Sequence, residues 1–136
     1  MPNFSGSYSA KTESQTTIAA PGNRQIGVSI ASGKQESPDA HWNGATLTMW
    51  GVADTVEGNG TMRGYFRNTH ANGDIDHGTN ECTVTMSGTE ATMTGTWRFT
   101  GGTGKFAKIT GNGVFSGKQT SPADSGGTWS GSYNLG

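Results

Sequence analysis

The chain has 136 residues, a formal net charge of −1 and only 14% charged side chains, enough for one domain but without a basic face for nucleic acid. Its 23 glycines stand far above the usual share, yet no Gly-X-Y period runs through them and aromatic residues recur throughout, which excludes both collagen and disorder. The single cysteine, Cys82, rules out an internal disulfide framework, and no apolar run approaches the roughly 20 residues of a membrane-spanning helix.

The opening residues Met1-Pro2-Asn3-Phe4-Ser5-Gly6 show no basic region followed by an apolar run. No secretory signal is read, and a soluble cytoplasmic protein with no membrane partner is expected. No window holds a 3.6-residue apolar period, whereas period-two alternation is everywhere. Residues 1–136 are therefore read as a single all-β domain.

Phe4-Ser5-Gly6-Ser7-Tyr8 reads as the first strand. Residues 31–44 form a long polar segment containing Asp39-Ala40-His41-Trp42. The strand at 44–57 places Leu47, Met49, Gly51 and Ala53 on one face, and the strand at 60–70 places Met62, Gly64 and Phe66 on the matching face. Between them Glu57-Gly58-Asn59-Gly60 is a tight hairpin turn. With Glu57 facing Gly60, Asp54 falls opposite Arg63, Trp50 opposite Arg67 and His70 opposite Leu47. A second long polar segment, 68–79, follows. Its run His70-Ala71-Asn72-Gly73-Asp74-Ile75-Asp76-His77 holds metal-ligand types without the spacing of a closed metal site, and Asn-Gly-Asp is ordinary turn chemistry.

Cys82, Val84 and Met86 lead into a turn at Gly88-Thr89, and Ala91, Met93, Gly95, Trp97 and Phe99 return on the same face. The opposite face carries Thr83, Thr85, Thr92, Thr94, Thr96 and Arg98, which suits a solvated sheet surface. The third hairpin turns at residues 101–104, and a bulge between Lys105 and Thr110 is expected where alternation fails. Trp129-Ser130-Gly131-Ser132-Tyr133 echoes the first strand. Alternating aromatics around a glycine suit first and last strands that meet. Glycines repeated on one face are needed where a sheet curls into a small barrel, so a single closed antiparallel barrel of about eight strands is expected.

The stretch Gly101-Gly102-Thr103-Gly104-Lys105-Phe106, followed by Ile109-Thr110-Gly111-Asn112-Gly113, resembles the allene oxide cyclase and dirigent protein superfamily. Members carry a Gly-Gly-(Thr/Ser)-Gly-x-Phe turn and then a glycine-bearing strand. The resemblance implies an eight-stranded antiparallel barrel with a central pocket, assembled as a homo-oligomer such as a dimer or trimer. It also implies ring closure or radical coupling of hydrophobic substrates without a metal or organic cofactor. The turn marks the fold and carries no catalytic residue.

The apolar faces predict a lumen lined by Tyr8, Leu47, Met49, Met62, Phe66, Cys82, Met86, Met93, Trp97, Phe99, Trp129 and Tyr133. A filled core and a ligand cavity both fit that lining. Ligand contacts are expected from Tyr8, Trp42, Met49, Phe66, Trp97, Trp129 and Tyr133. Glu57, His70 and His41 are the candidate acids or bases at the barrel mouth, although Trp42 also reads as an anchor for its loop. Two functional readings stay open. One is a lumen that binds a small hydrophobic or amphipathic molecule, extending to cofactor-free isomerisation, cyclisation or elimination. The other is a non-catalytic carrier, carbohydrate-binding or oligomerising barrel with a packed lumen.

Overall fold

The computed structural model describes residues 3–121 and 123–136; Met1 and Pro2 of the opening segment, and Pro122, lie outside them. Among these residues the chain forms eight strands: β1 (Asn3–Ala20), β2 (Arg24–Glu36), β3 (Thr46–Val56), β4 (Asn59–Thr69), β5 (Ile75–Ser87), β6 (Glu90–Gly102), β7 (Thr110–Gln119) and β8 (Asp124–Asn134). Each pairs antiparallel with the next, and β8 returns to β1 to close the barrel. The echoing chain ends are the closing seam, with Phe4 opposite Gly131 and Gly6 opposite Trp129. No helix among the described residues is long and apolar enough to cross a membrane.

The β3–β4 register differs from expectation by two residues. Val56 pairs with Asn59, which puts Asp54 opposite Thr61, Trp50 opposite Tyr65 and Leu47 opposite Asn68. Glu57 and Gly58 form the two-residue loop, both left-handed at φ 53° and 82°, as a type I′ turn requires. Asn59 is drawn into the strand because its side chain is used twice. Its amide donates to the Glu57 carbonyl and its Oδ1 accepts from the Met86 backbone N–H. A two-residue slip preserves the faces, so Leu47, Met49, Met62 and Phe66 still line one side. Asp54 finds Arg24 on β2 as its ion partner instead of Arg63. Arg67 still covers Trp50, with its guanidinium carbon 5.3 Å from the ring centroid, as a diagonal neighbour.

Cys82, Val84 and Met86 pair with Gly95, Met93 and Ala91 as the alternation predicts. The bulge expected between Lys105 and Thr110 is instead a 3-10 turn at Gly104–Phe106. Phe106 and Ile109 are buried there, so this stretch folds over the barrel end instead of continuing a strand. The register irregularities lie elsewhere, between Thr12 and Ser14 on β1 and between His77 and Gly78 on β5. Because β2 runs to Glu36 and β4 to Thr69, the two polar connections shorten to residues 37–45 and 70–74.

The β1–β2, β3–β4, β5–β6 and β7–β8 turns define a hairpin end. The other three connections, with the start of β1 and the finish of β8, form a loop end. The core divides along this axis. Toward the loop end Phe4, Trp42, Leu47, Phe66, Trp97, Phe99, Phe106, Ile109 and Tyr133 cluster. Toward the hairpin end Val84, Ala91 and Met93 pack with Met62, Cys82 and Met86, and Phe115 touches both groups. Phe4 is the hub of the aromatic half, its ring centroid 4.6–4.9 Å from those of Tyr133, Trp42 and Trp129. A Cβ at Gly113 or Gly131 would stand 2.5 or 2.6 Å from the Trp97 ring, so glycine there lets the indole lie against bare strand backbone.

Candidate functional site

Two chambers occupy the barrel interior. The chamber nearer the loop end has a volume of about 80 Å³ and is walled by Phe4, Leu47, Phe66, Trp97, Phe99 and Trp129. The other, about 160 Å³, is walled by Met62, Cys82, Met93, Ala31 and Ala53, with Thr12, Gln15, Ser29, Gln119 and Ser125 adding uncharged polar groups. Tyr8, Met49, Asn80 and Phe115 belong to both linings and form the waist between them. Among the described residues, no Asp, Glu, Lys, Arg or His lines either chamber. Burial pushes the Tyr8 phenol up to about 12 and raises the Cys82 thiol, against a smaller lowering by a hydrogen bond from Met62. Both groups are therefore protonated at neutral pH.

The loop end is closed. Trp42 and Phe106, each 1% exposed, lie across it, and Phe106 stacks on the His70 ring at a centroid distance of 4.2 Å. Beneath them runs a hydrogen-bonded belt of side chains. Trp129 Nε1 donates to Gln35 Oε1, Gln35 Nε2 to Asn68 Oδ1, and Asn68 Nδ2 to Asp76 Oδ1, at 2.9–3.0 Å. Asp76 Oδ2 takes the Trp42 indole N–H at 3.1 Å and meets His70 Nε2 at 2.6 Å. Tyr133 donates to Asp39 on the covering loop at 2.8 Å; burial first, then that carboxylate, push its phenol up to about 12.

His70 Nδ1 lies 2.7 Å from the His41 carbonyl oxygen. A carbonyl only accepts, so Nδ1 carries a proton. One further proton sits between Nε2 and Asp76. The His70–Asp76 pair is thus net neutral wherever that proton resides, and neither ring nitrogen is left for a ligand. Gly104, at φ 57°, lets the 3-10 turn fold inward; a Cβ there would stand 2.3 Å from the Asp74 carboxylate. That inward fold delivers Phe106 to His70.

The structure therefore separates the three candidate acids and bases. His41 and His70 meet at the loop end, with His70 beyond the strand and no longer opposite Leu47. Glu57 is exposed on the hairpin-end turn. Tyr8, Trp42, Met49, Phe66, Trp97 and Trp129 line the chambers, while Tyr133 packs in the aromatic cluster and reaches Asp39. No group of three or more His, Cys, Asp or Glu side chains placed to hold a metal ion occurs among the described residues. Sequence reading missed Gln35, Asn68, Asp76 and Asn80, and also Phe106. Parity carried the signal for Asn68, Asp76 and Asn80. Asn68 continues the inward row Met62, Gly64, Phe66, and Asp76 and Asn80 continue that of Cys82. No protein-family model and no curated protein matches the chain.

Proposed function

We propose that this barrel binds a small, mainly apolar molecule in its lumen, and that it is kin to the allene oxide cyclase and dirigent-type barrels whose glycine turn it resembles. The carrying observation is the interior volume. An eight-stranded barrel is just wide enough for side chains to fill, yet glycine, alanine and serine at inward positions leave chambers of about 80 and 160 Å³. Flexible thioethers on the walls suit a variety of apolar guests. The lumen's ionisable groups among the described residues, Tyr8 and Cys82, are both held protonated, so binding is favoured over acid–base catalysis. Any isomerisation or cyclisation would rest on confining a flexible substrate. Methyl NMR of the methionines during a benzene titration tests the reading. Saturable shifts at Met49, Met62 and Met93, abolished in the chamber-filling variant Ala53→Leu, are expected; no saturable shift in the wild type would refute it.

Self-association is a second reading, favoured by an outward apolar band across β1–β4. Ile18 pairs with Ile26, Val28 with Val52 and Trp50 with Tyr65, and Ile18, Val28 and Tyr65 are 64%, 52% and 63% exposed. Light scattering on the wild type and on Val28→Lys tests it: a dimer or trimer reduced to monomer supports the reading, and a monomeric wild type removes it.

A further inference from the structure

We infer that the lumen selects a neutral ligand carrying one hydroxyl or carbonyl group, and that the Tyr8 hydroxyl and the Asn80 side-chain amide recognise that group. The inference rests on the lumen-binding reading above. Tyr8 and Asn80 stand together at the waist, the position common to both chambers. Toward the loop end the interior polar side chains are paired: Gln35, Asn68, Asp76, His70 and the indoles of Trp42 and Trp129 all belong to the belt. Neither Tyr8 nor Asn80 has a side-chain hydrogen-bond partner among the described residues, and of the unpaired polar groups lining the larger chamber, Thr12, Gln15, Ser29 and Ser125 included, these two alone also line the smaller one. No buried side-chain nitrogen or oxygen among those residues lacks a partner, so the unpaired polar atoms of Tyr8 and Asn80 are not sealed away from the cavity they line. A buried tyrosine hydroxyl ordinarily finds a partner. Here a phenol hydroxyl, which lies against the bare backbone of Gly117, and a side-chain amide both belong to the lining of the space a ligand would fill.

Size and charge narrow the class. An apolar cavity of about 150 Å³ takes up benzene, so the larger chamber suits a hydrocarbon body of about six carbons. With no cation on either lining among the described residues, a carboxylate head would lose its hydration without a counter-charge, and an ammonium head fares no better. An alcohol, phenol or ketone can satisfy both waist groups. Access is from the hairpin end. The loop end is sealed by Trp42 and Phe106, whereas β1 pairs with β8 only as far as Lys11 and Asp124, with a last backbone bond from Thr12 to Ala123. Beyond that point β1 pairs with β2 alone, and Gln15, on this extension, lines the larger chamber.

The experiment is calorimetric and NMR titration of the full chain with 1-hexanol, benzene, hexanoate and hexylamine at neutral pH, repeated on Tyr8→Phe and Asn80→Leu. Hexanol is expected to bind at least about a hundredfold more tightly than hexanoate or hexylamine. Each variant should weaken hexanol about three- to tenfold and leave benzene unchanged. Hexanoate or hexylamine binding as tightly as hexanol overturns the neutral class. Hexanol binding equally to wild type and both variants overturns the head-group assignment, while the lumen reading stands on its own. Failure of benzene and hexanol alike, with the barrel intact by circular dichroism, removes the lumen reading and this inference with it.

Discussion

Asp76 is 0% exposed and is contacted by Trp42 Nε1, Asn68 Nδ2 and His70 Nε2, so Asp76→Asn probes the belt with almost no change of volume. Because His70 Nδ1 must donate to the His41 carbonyl, a neutral His70 offers Nε2 as an acceptor, and the new amide N–H₂ satisfies it from the Oδ2 position. The Trp42 indole N–H then faces a donor and is orphaned. An unsatisfied buried donor costs about 1–3 kcal/mol, and losing a charge-assisted bond adds to this, giving about 2–4 kcal/mol for Asp76→Asn. Trp42→Phe in the wild type removes one donor from an acceptor that keeps two others, at about 1–1.5 kcal/mol for the hydrogen bond. In the Asp76→Asn background the same change removes the orphan itself and should cost close to nothing for the hydrogen bond. Urea unfolding of the four proteins, followed by tryptophan fluorescence and far-ultraviolet circular dichroism, should yield a coupling of about 1–2 kcal/mol. Single-variant costs that add within about 0.5 kcal/mol would show that Trp42 and Asp76 act independently and would refute the belt as described.

Other outcomes follow from the same structure. Phe4→Ala, which empties the hub of the aromatic cluster, should cost about 3–5 kcal/mol in denaturant unfolding. Gly113→Ala sets a methyl 2.0 Å from the Ser130 carbonyl oxygen and 2.5 Å from the Trp97 ring, and should cost about 3 kcal/mol or more while altering the near-ultraviolet dichroism of the indoles. Glu57→Asn, at a position with φ 53°, should raise stability by about 0.5–1 kcal/mol, since asparagine tolerates the left-handed region better. It should leave hexanol binding untouched, because Glu57 lies outside both chambers. Tyr8 and Tyr133, both pushed up to about 12, keep protons that the unfolded chain releases nearer 10. Stability should therefore be undiminished below pH 10 and fall as pH rises from 10 through 12, and Tyr8→Phe and Tyr133→Phe should each remove a share of the tyrosinate absorbance rise near pH 12.

The barrel was legible because strand side chains alternate strictly, so inside and outside follow from parity once the run is found. Register was harder. Glu57-Gly58-Asn59-Gly60 admits more than one two-residue loop, and the choice depended on Asn59 bonding to Met86 on β5, a contact that local pattern does not encode. The face of Leu47, Met49, Met62 and Phe66 was insensitive to that error, whereas the charge pair given to Asp54 was not. The ligand-facing aromatics were readable as inward apolar positions. His70 was readable as a residue of the barrel mouth, but its burial against Asp76 was not, since polar residues in a loop-rich stretch look solvated until Phe106 and Trp42 are known to cover them. Those two arrive from other connections, and Phe106 from the one place where alternation broke.

The seam that sets Phe4 against Gly131 has a consequence for synthesis. Translation delivers β1 first and β8 last of the eight strands, so the ring at the hub waits on the ribosome for Trp129 and Tyr133. Until β8 emerges, β1 and β7 are open edges and the aromatic half lacks Trp129 and Tyr133, a state disposed to associate with other chains. A chain stopped before β8 cannot close the seam or bury Phe4, and it remains marked for chaperones and proteases by its exposed rings.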